Sequence, residues 1–504
     1  MEVLGRAEQQ YRSSDGQEDG IMSRQRKRLE YYLERNGLEI CPEPGRAGVI
    51  LSEALGDLRA PDLMDRVLER ENFDTAVQQV VRNGGAGGVD GMSASELPSY
   101  VEQNWDALYL DLRTGHYKPK PVRRVVIPKP DGGERNLGVP TVLDRAIQQA
   151  VAQVLLPIYE PKFSDRSFGF RPGRSAQAAI ARLKDDCVQG YTWAVDIDLS
   201  KYFDTINHDL LMEILRRDIE DETLLILIKH FLKSGVMVDG LVHATEEGSP
   251  QGGNLSPLLA NIYLNEFDRT MEERGHRFVR YADDILVLMP TKKGATRVME
   301  TCRKYLEGTL KLRLNENKSH VSQVYGVKYL GFTIELRKWT GIPTNVIGIH
   351  PKSIERFENR IREILRKNGP MPLESRLSYL KVYVRGWLNY YGLAEMKCAM
   401  ESITRWTRRK LRALLLKKWK RTYRRGKNLK KIQAEHGVTP IRYGSMWKTL
   451  KYDGIWNMAN NYAVTQILHN RYLEEIGCPN ILSQYVEIHS RLLNRRDTRV
   501  RPVV

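Results

Sequence analysis

Apolar residues recur at helical spacing between Asp62 and Asn83, where Leu63, Val67, Val77, Val80 and Val81 share a face that Gly84-Gly85 ends. Shorter apolar runs with a different rhythm follow. Val125-Val126-Ile127 and Leu137-Gly138-Val139 flank Asp131-Gly132-Gly133 and predict a hairpin. Trp193 to Leu199 predicts a buried strand, His208 to Leu232 two helices, and Val236 to Val242 a second hairpin. Ser256 to Met271 reads as a helix. Phe278-Val279-Arg280 and the run Ile285 to Met289 read as strands joined by a tight turn at Tyr281-Ala282-Asp283-Asp284. A helix over 294–309 and a strand over 327–335 come next, and helices dominate beyond Pro351. The middle is therefore α+β and the C-terminal third α-helical. The polar first residues, to about position 23, predict disorder. Arg24 to Arg35 predicts a short basic helix that Pro42-Glu43-Pro44-Gly45 cannot continue. No internal repeat is present.

Composition adds a polyanion preference. The 504 residues carry 79 Lys and Arg against 62 Asp and Glu, a net charge of +17. The excess is concentrated between Glu401 and Lys431, where Trp406, Trp419 and Tyr423 lie among the cations, a mixture suited to nucleic acid. Cys41, Cys187, Cys302, Cys398 and Cys478 are scattered without a Cys-x-x-Cys pair, which argues against structural zinc and a disulfide framework. The polar N-terminus is unlike a signal peptide, and no apolar run approaches a membrane span. A reducing, soluble compartment is the expectation.

The candidate chemistry centres on the turn at Asp283-Asp284. Adjacent carboxylates repel, and a pair of divalent cations would remove the repulsion and serve nucleotidyl transfer. A third ligand should come from a neighbouring strand, and Ala194 to Leu199 offers Asp196 and Asp198. Residues i and i+2 share a strand face, so alternation does not choose between them. Phe203, five residues after Asp198, could stack under an incoming sugar and exclude a 2′-hydroxyl; this favours Asp198, with Asp196 the fallback. Oxygen ligands select hard Mg²⁺ over zinc. Lys129 and Arg135 on the first hairpin can fold over a triphosphate, Arg with two bonds and Lys as a point charge. Gly248-Ser249-Pro250-Gln251-Gly252-Gly253 opens a helix, its glycines admit close approach, and Gln251 offers a donor and an acceptor to a nucleotide sugar or a templating base. Lys318, after an apolar segment, could protonate departing pyrophosphate. The glycine-rich stretch 84–91 lacks the Gly-Lys-Ser/Thr ending of a phosphate-binding P-loop.

Taken together, NGGAGGVDGM (83–92), VVIPKPDGGERNLGVPTVLDRAIQQAV (125–151), FSDRSFGFRPGRSA (163–176), AVDIDLSKYFDTINHDLL (194–211), GSPQGGNLSPLLANIYLNE (248–266), RYADD (280–284), NKS (317–319) and YLGF (329–332) resemble the group II intron reverse transcriptase/maturases of bacterial type. The resemblance runs from about Asp62 to the C-terminus. It implies an α+β right-hand polymerase of fingers, palm and thumb. The implied layout is a partly disordered extension at 1–61, fingers with a template-contacting extension at 62–190, and a palm at 191–340 with finger insertions around 205–247. A maturase-specific helical thumb at 341–431 and a helical nucleic-acid-binding segment at 432–504 follow. The implied activity is an RNA-directed DNA polymerase that binds its host intron RNA, assists splicing, and copies the intron into DNA during retrotransposition.

The resemblance places two Mg²⁺ ions, with Mn²⁺ as a substitute, on Asp198, Asp283 and Asp284. It places the dNTP on Lys129, Arg135 and Gln251, and a sugar gate at Phe203. Tyr329 to Phe332 would support the primer end. The thumb, with Arg405, Arg408, Arg409, Lys410, Arg412, Lys417, Lys418 and Lys420, would lie on nucleic acid. Partners would be intron RNA and a DNA target or primer, within a nucleoid-associated ribonucleoprotein of the bacterial cytoplasm and away from membranes. The missing zinc-ligating cysteines resemble the endonuclease-lacking subclass, which needs a primer from elsewhere. Two other readings compete: a splicing cofactor with a silent polymerase, which the intact acids count against, and a domesticated polymerase of DNA repair or phage defence.

Overall fold

The computed structural model describes residues 63–128, 134–238, 241–243, 247–248, 252–339, 342–366, 371–438, 450 and 454–497. The expectations for residues 1–61 lie outside them. The chain divides into two compact units.

One unit contains the described residues up to 123, with 139–161 and 212–243. The helix expected near its start is two helices, Leu63–Leu68 and Arg70–Asn83. Phe73, Ala76, Val77 and Val80 form the buried stripe of the second, which packs on the helix Val142–Tyr159. Thr141 caps that partner helix by accepting the Asp144 N–H. The glycine-rich stretch lies against this helix start. A Cβ at Gly88 would stand 2.6 Å from Thr141 Cα, and Arg145 donates to the Gly84 and Ala86 carbonyls at 3.2 and 2.8 Å. The expected hairpin is present as Val236–Val238 antiparallel to Leu241–His243.

The second unit contains residues 124–138, 162–211 and those from 247 onward. Its centre is a four-stranded antiparallel sheet: β1 (Trp193–Asp198), β2 (Arg277–Tyr281), β3 (Asp284–Met289) and β4 (His320–Gln323), in the order β2-β3-β1-β4. Ala194, Val195 and Ile197 of β1 and Ile285 to Leu288 of β3 are all buried, so both sheet faces are covered. The helix Ser256–Glu273 and the helix Lys292–Arg303 match the sequence pattern, the latter continuing as a π-helical turn over Lys304–Thr309. The strand expected over 327–335 differs. Leu330 and Gly331 adopt φ +52° and +83°, so residues 329–331 form a turn and the strand runs Phe332–Trp339, paired with Ile342–Ile349.

Beyond Pro351 the structure is helical, with Pro351–Ile364, Leu373–Tyr391, Lys397–Lys418, Thr422–Glu435 and Ile481–Asp497 the longest elements. One apolar core runs from Leu286 and Leu288 of the sheet through Ile180, Phe332 and Phe357 to Leu388, Leu411 and Ile488. Among the described residues no helix is long and apolar enough to cross a membrane.

Candidate functional site

The turn between β2 and β3 has Tyr281 paired with Asp284, leaving Ala282 and Asp283 as a two-residue loop. Such loops favour positive φ, normally supplied by Gly or Asn. Ala282 stands at φ +59°, a strained conformation that its surroundings must hold. Arg280, fully buried, is the main support. Its guanidinium grips the buried Asp268 carboxylate with both oxygens engaged, and donates from Nη1 to Asn261 Oδ1 at 2.9 Å and to the Ala282 carbonyl at 3.1 Å. Asn261 donates onward to the Gly169 carbonyl at 2.8 Å. Gly169 lies so close to the turn that a Cβ there would be 2.3 Å from the Ala282 nitrogen. Arg280, Asp268, Asn261 and Gly169 are turn-setting residues that the sequence reading gave no role.

Asp198 ends β1 and pairs directly with Asp284. Directly opposed residues of an antiparallel pair project to the same face, so the two carboxylates share a side of the sheet. Asp196, two residues earlier, shares that face opposite Leu286. The loop before β4 holds Asp198 at three points. The Asn315 N–H donates to the Asp198 carbonyl at 2.8 Å, Asn315 Nδ2 donates to Asp198 Oδ2 at 2.9 Å, and the Asp198 N–H donates to Ser319 Oγ at 3.1 Å. Lys318 Nζ stands 3.8 Å from the same Oδ2. The sequence reading named Lys318 and missed Asn315, whose amide does the orienting.

Electrostatics mark the cluster. Burial, and then the charges of Asp196, Asp283 and Asp198, push the Asp284 carboxyl up to about 8. Burial pushes Asp196 up to about 6, with Asp198 adding to the rise and His320 opposing it. Among the described residues no three acidic, imidazole or thiol side chains converge tightly enough to cage an ion. The structure therefore brings Asp198 and Asp284 onto facing strands, with Asp283 within electrostatic reach. A set of carboxylate oxygens that repel one another fits hard divalent cations.

Phe203 is half-buried on the short turn Tyr202–Asp204, its ring 5.3 Å from Tyr202, whose hydroxyl donates to the Ala260 carbonyl at 2.6 Å. Two glycines bring the following loop to this place. A Cβ at Gly248 would be 2.8 Å from the Asp204 backbone, and the Gly248 N–H donates to Ile206 O at 2.8 Å. Gly252, at φ +126°, would place a Cβ 2.5 Å from the Gly138 carbonyl. The loop is thus held beside Phe203 at one end and beside the strand Glu134–Val139 at the other. Lys129 and Gln251 lie outside the described residues. Arg135 is on that strand, its side chain outside the description.

The turn at 329–331 lies under the acids. Tyr329 donates its hydroxyl to the Val279 and Asp284 carbonyls at 3.2 and 3.3 Å. Ser353 and Tyr390 donate to the Gly331 and Leu330 carbonyls at 3.0 and 3.2 Å, and Phe332 packs against both Tyr390 and Tyr391. Helices of the C-terminal third therefore hold the support of Asp284.

The cations of the basic helix Lys397–Lys418 do not all face solvent. Arg412 is buried and donates to the Leu468 carbonyl at 2.9 Å, so it is spent inside the fold. Arg408 pairs with Glu474 at 2.8 Å, and Arg409 lies 4.2 Å over the Trp456 ring while donating to that residue's carbonyl. Lys410 is 5.2 Å over Trp406, and Lys417 is half-buried. Arg405, Lys418 and Lys420 are exposed. The larger exposed cluster continues beyond them at Arg421, Arg424 and Lys427, with Tyr423 70% exposed. Cations at the start of the helix Thr422–Glu435 oppose its dipole, so this placement does not serve the helix.

Residues 127–334 match the family described as reverse transcriptase (RNA-dependent DNA polymerase), and residues 354–432 match the group II intron, maturase-specific domain. The chain is similar to Protein YkfC of Escherichia coli (strain K12), 37% identical over 54% of this chain and 83% of that protein. It is similar to the group II intron-encoded protein LtrA of Lactococcus lactis subsp. cremoris, 31% identical over 65% of this chain and 70% of LtrA. A putative COX1/OXI3 intron 1 protein of Saccharomyces cerevisiae is 28% identical over 56% of this chain and 44% of its own length.

Proposed function

Because the chain belongs to the family of group II intron-encoded reverse transcriptases and maturases, we propose that its acidic cluster on β1 and the β2–β3 turn is the centre at which it extends a primer along intron RNA. The chain is an RNA-directed DNA polymerase that carries a maturase-specific domain. The observation that carries the site assignment is the direct pairing of Asp198 with Asp284.

Asp198, Asp283 and Asp284 would hold two divalent cations, Mg²⁺ by preference and Mn²⁺ in its place, which when bound favour the ionised primer 3′-hydroxyl and neutralise the triphosphate. Asn315 fixes one oxygen of Asp198 and so leaves the other to face the reaction. Lys318, 3.8 Å from that carboxylate, would hand a proton to departing pyrophosphate. Lys129, Arg135 and Gln251 would receive the incoming dNTP. Phe203 lies under its sugar. Replacing Phe203 with Ala is expected to admit ribonucleotides, read as a fall in the dNTP-over-rNTP ratio of kcat/KM by roughly 10-fold or more, since removing a steric wall costs discrimination directly. An unchanged ratio would place the gate elsewhere.

In this reading residues 62–190 and 191–340 act as fingers and palm, and the helices from Pro351 onward as the thumb that grips intron RNA. The exposed cations Arg405, Lys418, Lys420, Arg421, Arg424 and Lys427 support that role. The test is the triple neutralisation of Arg421, Arg424 and Lys427 to Gln. Intron RNA binding should weaken, and its log K against log salt slope should drop by about 2, since each lost phosphate contact removes somewhat less than 1. Splicing assistance should fall with it, while extension of a short primer on an unstructured template continues. A salt slope equal to that of the parent protein would remove this face from the RNA interface.

A further inference from the structure

Phe170 is a large aromatic at φ +57° and 52% exposed. A non-glycine residue held left-handed is uncommon, and a bulky one persists only where its neighbours over-determine the backbone. Both neighbours do so here. Gly169 is jammed against the Tyr281–Ala282 peptide, and its carbonyl accepts from the buried Asn261. Arg171 is buried and donates from Nη1 to the Ser164 and Ser167 carbonyls at 2.5 and 2.9 Å. Between two anchored residues, a ring on a strained backbone is presented to solvent, one residue from the close contact of Gly169 with Ala282. Nothing in core packing asks for an exposed ring at this point.

Its side of the turn is also fixed. The Phe168 N–H donates to the Arg280 carbonyl and the Arg280 N–H to the Arg166 carbonyl, both at 2.9 Å, so this segment runs along the outer edge of β2. Asp198 lies beyond β3, on the opposite flank, and the turn that carries Phe203 follows it along the chain with Gly248 against Asp204. The incoming nucleotide is assigned to that opposite flank, so it is not the ligand of Phe170. What remains to meet the ring is the strand opposite the primer.

We propose that Phe170 is a substrate-contacting residue that stacks on a nucleobase of the template strand near the primer terminus. The inference rests on the functional reading above and extends it, because it assigns a template subsite to the outer flank of the carboxylate turn. An aromatic platform suits a template, since every base has a π-face and stacking tolerates any sequence.

The test uses a fluorescein-labelled DNA primer annealed to an RNA template, with binding read by anisotropy in EDTA. Phe170→Ala is expected to weaken duplex binding about 10-fold, within the range stacking supplies, while Phe170→Trp keeps it. Phe170→Gly should also bind weakly yet melt at a higher temperature than the parent, because glycine accepts positive φ without strain. That opposition of signs separates a contact from a structural role. An abasic scan of the template should find one position at which the parent loses affinity and Phe170→Ala loses no more. Parent-like binding by Phe170→Ala and Phe170→Gly, or identical abasic profiles in parent and Phe170→Ala, overturns the inference. Primer extension by the parent is measured alongside: if it extends while these variants bind normally, only this inference falls; if it does not extend at all, the functional reading falls first.

Discussion

Asp284→Asn is expected to abolish primer extension and, in the absence of magnesium, to raise the melting temperature. The loss should exceed by far the roughly 10–100-fold cost of removing a mere outer-sphere partner of a metal. The stabilisation follows from the raised carboxyl, pushed up to about 8 by burial and by Asp196, Asp283 and Asp198. Between its ordinary value near 4 and that raised value, the metal-free folded chain binds a proton that the unfolded chain has released. Stability is therefore full below the ordinary value and declines as pH climbs toward about 8. Asparagine removes that slope. Thermal melts in EDTA at acidic, neutral and alkaline pH should show parent and variant converging in acid and separating in alkali, with the variant higher. Added Mg²⁺ should narrow the gap from the parent side, and the Mg²⁺ concentration needed for extension should fall as pH rises, because cation binding displaces the proton. A variant that melts lower at neutral pH would show that Asp284 supports the fold rather than straining it.

Gly169→Ala should also cost activity heavily, though less, without touching an acid. The added methyl would meet the Ala282 nitrogen at 2.3 Å and the Tyr281 carbonyl carbon at 2.9 Å, both backbone, so no side chain can swing aside. The turn has to shift, and it cannot do so freely while Arg280 ties it to Asp268 and Asn261. A displacement on the order of 1 Å at reacting groups costs about 100-fold in rate. Intron RNA binding, proposed above for the exposed cations Arg421, Arg424 and Lys427, should be unchanged. Single-turnover extension on a primed RNA template reads the effect, and parent-like kcat would mean the turn tolerates displacement.

What the sequence revealed was what adjacency carries. Asp283-Asp284 between two apolar runs specifies hairpin and acids together, and Asp198 follows from one strand plus the spacing to Phe203. Asn315, Gly169, Asn261 and Asp268 carry no such local signal. Their roles exist only once segments far apart in sequence are neighbours, as Gly169 is to Ala282. Tyr329 to Phe332 shows the same limit at short range, where an apolar run reads as strand until Gly331 and Leu330 take positive φ. The basic stretch was visible as charge, but charge does not tell which arms turn inward. Arg412 answers to the Leu468 carbonyl, and Arg421 and Arg424 answer to solvent.

The shared apolar core has an evolutionary corollary. A gene fragment ending near the last strand would leave Phe332, Ile334 and Leu388's counterparts bare to water, and an exposed apolar flank of that size invites aggregation. Sheet and helices are thus bound into one package: shedding the helical third would leave that flank of the sheet uncovered.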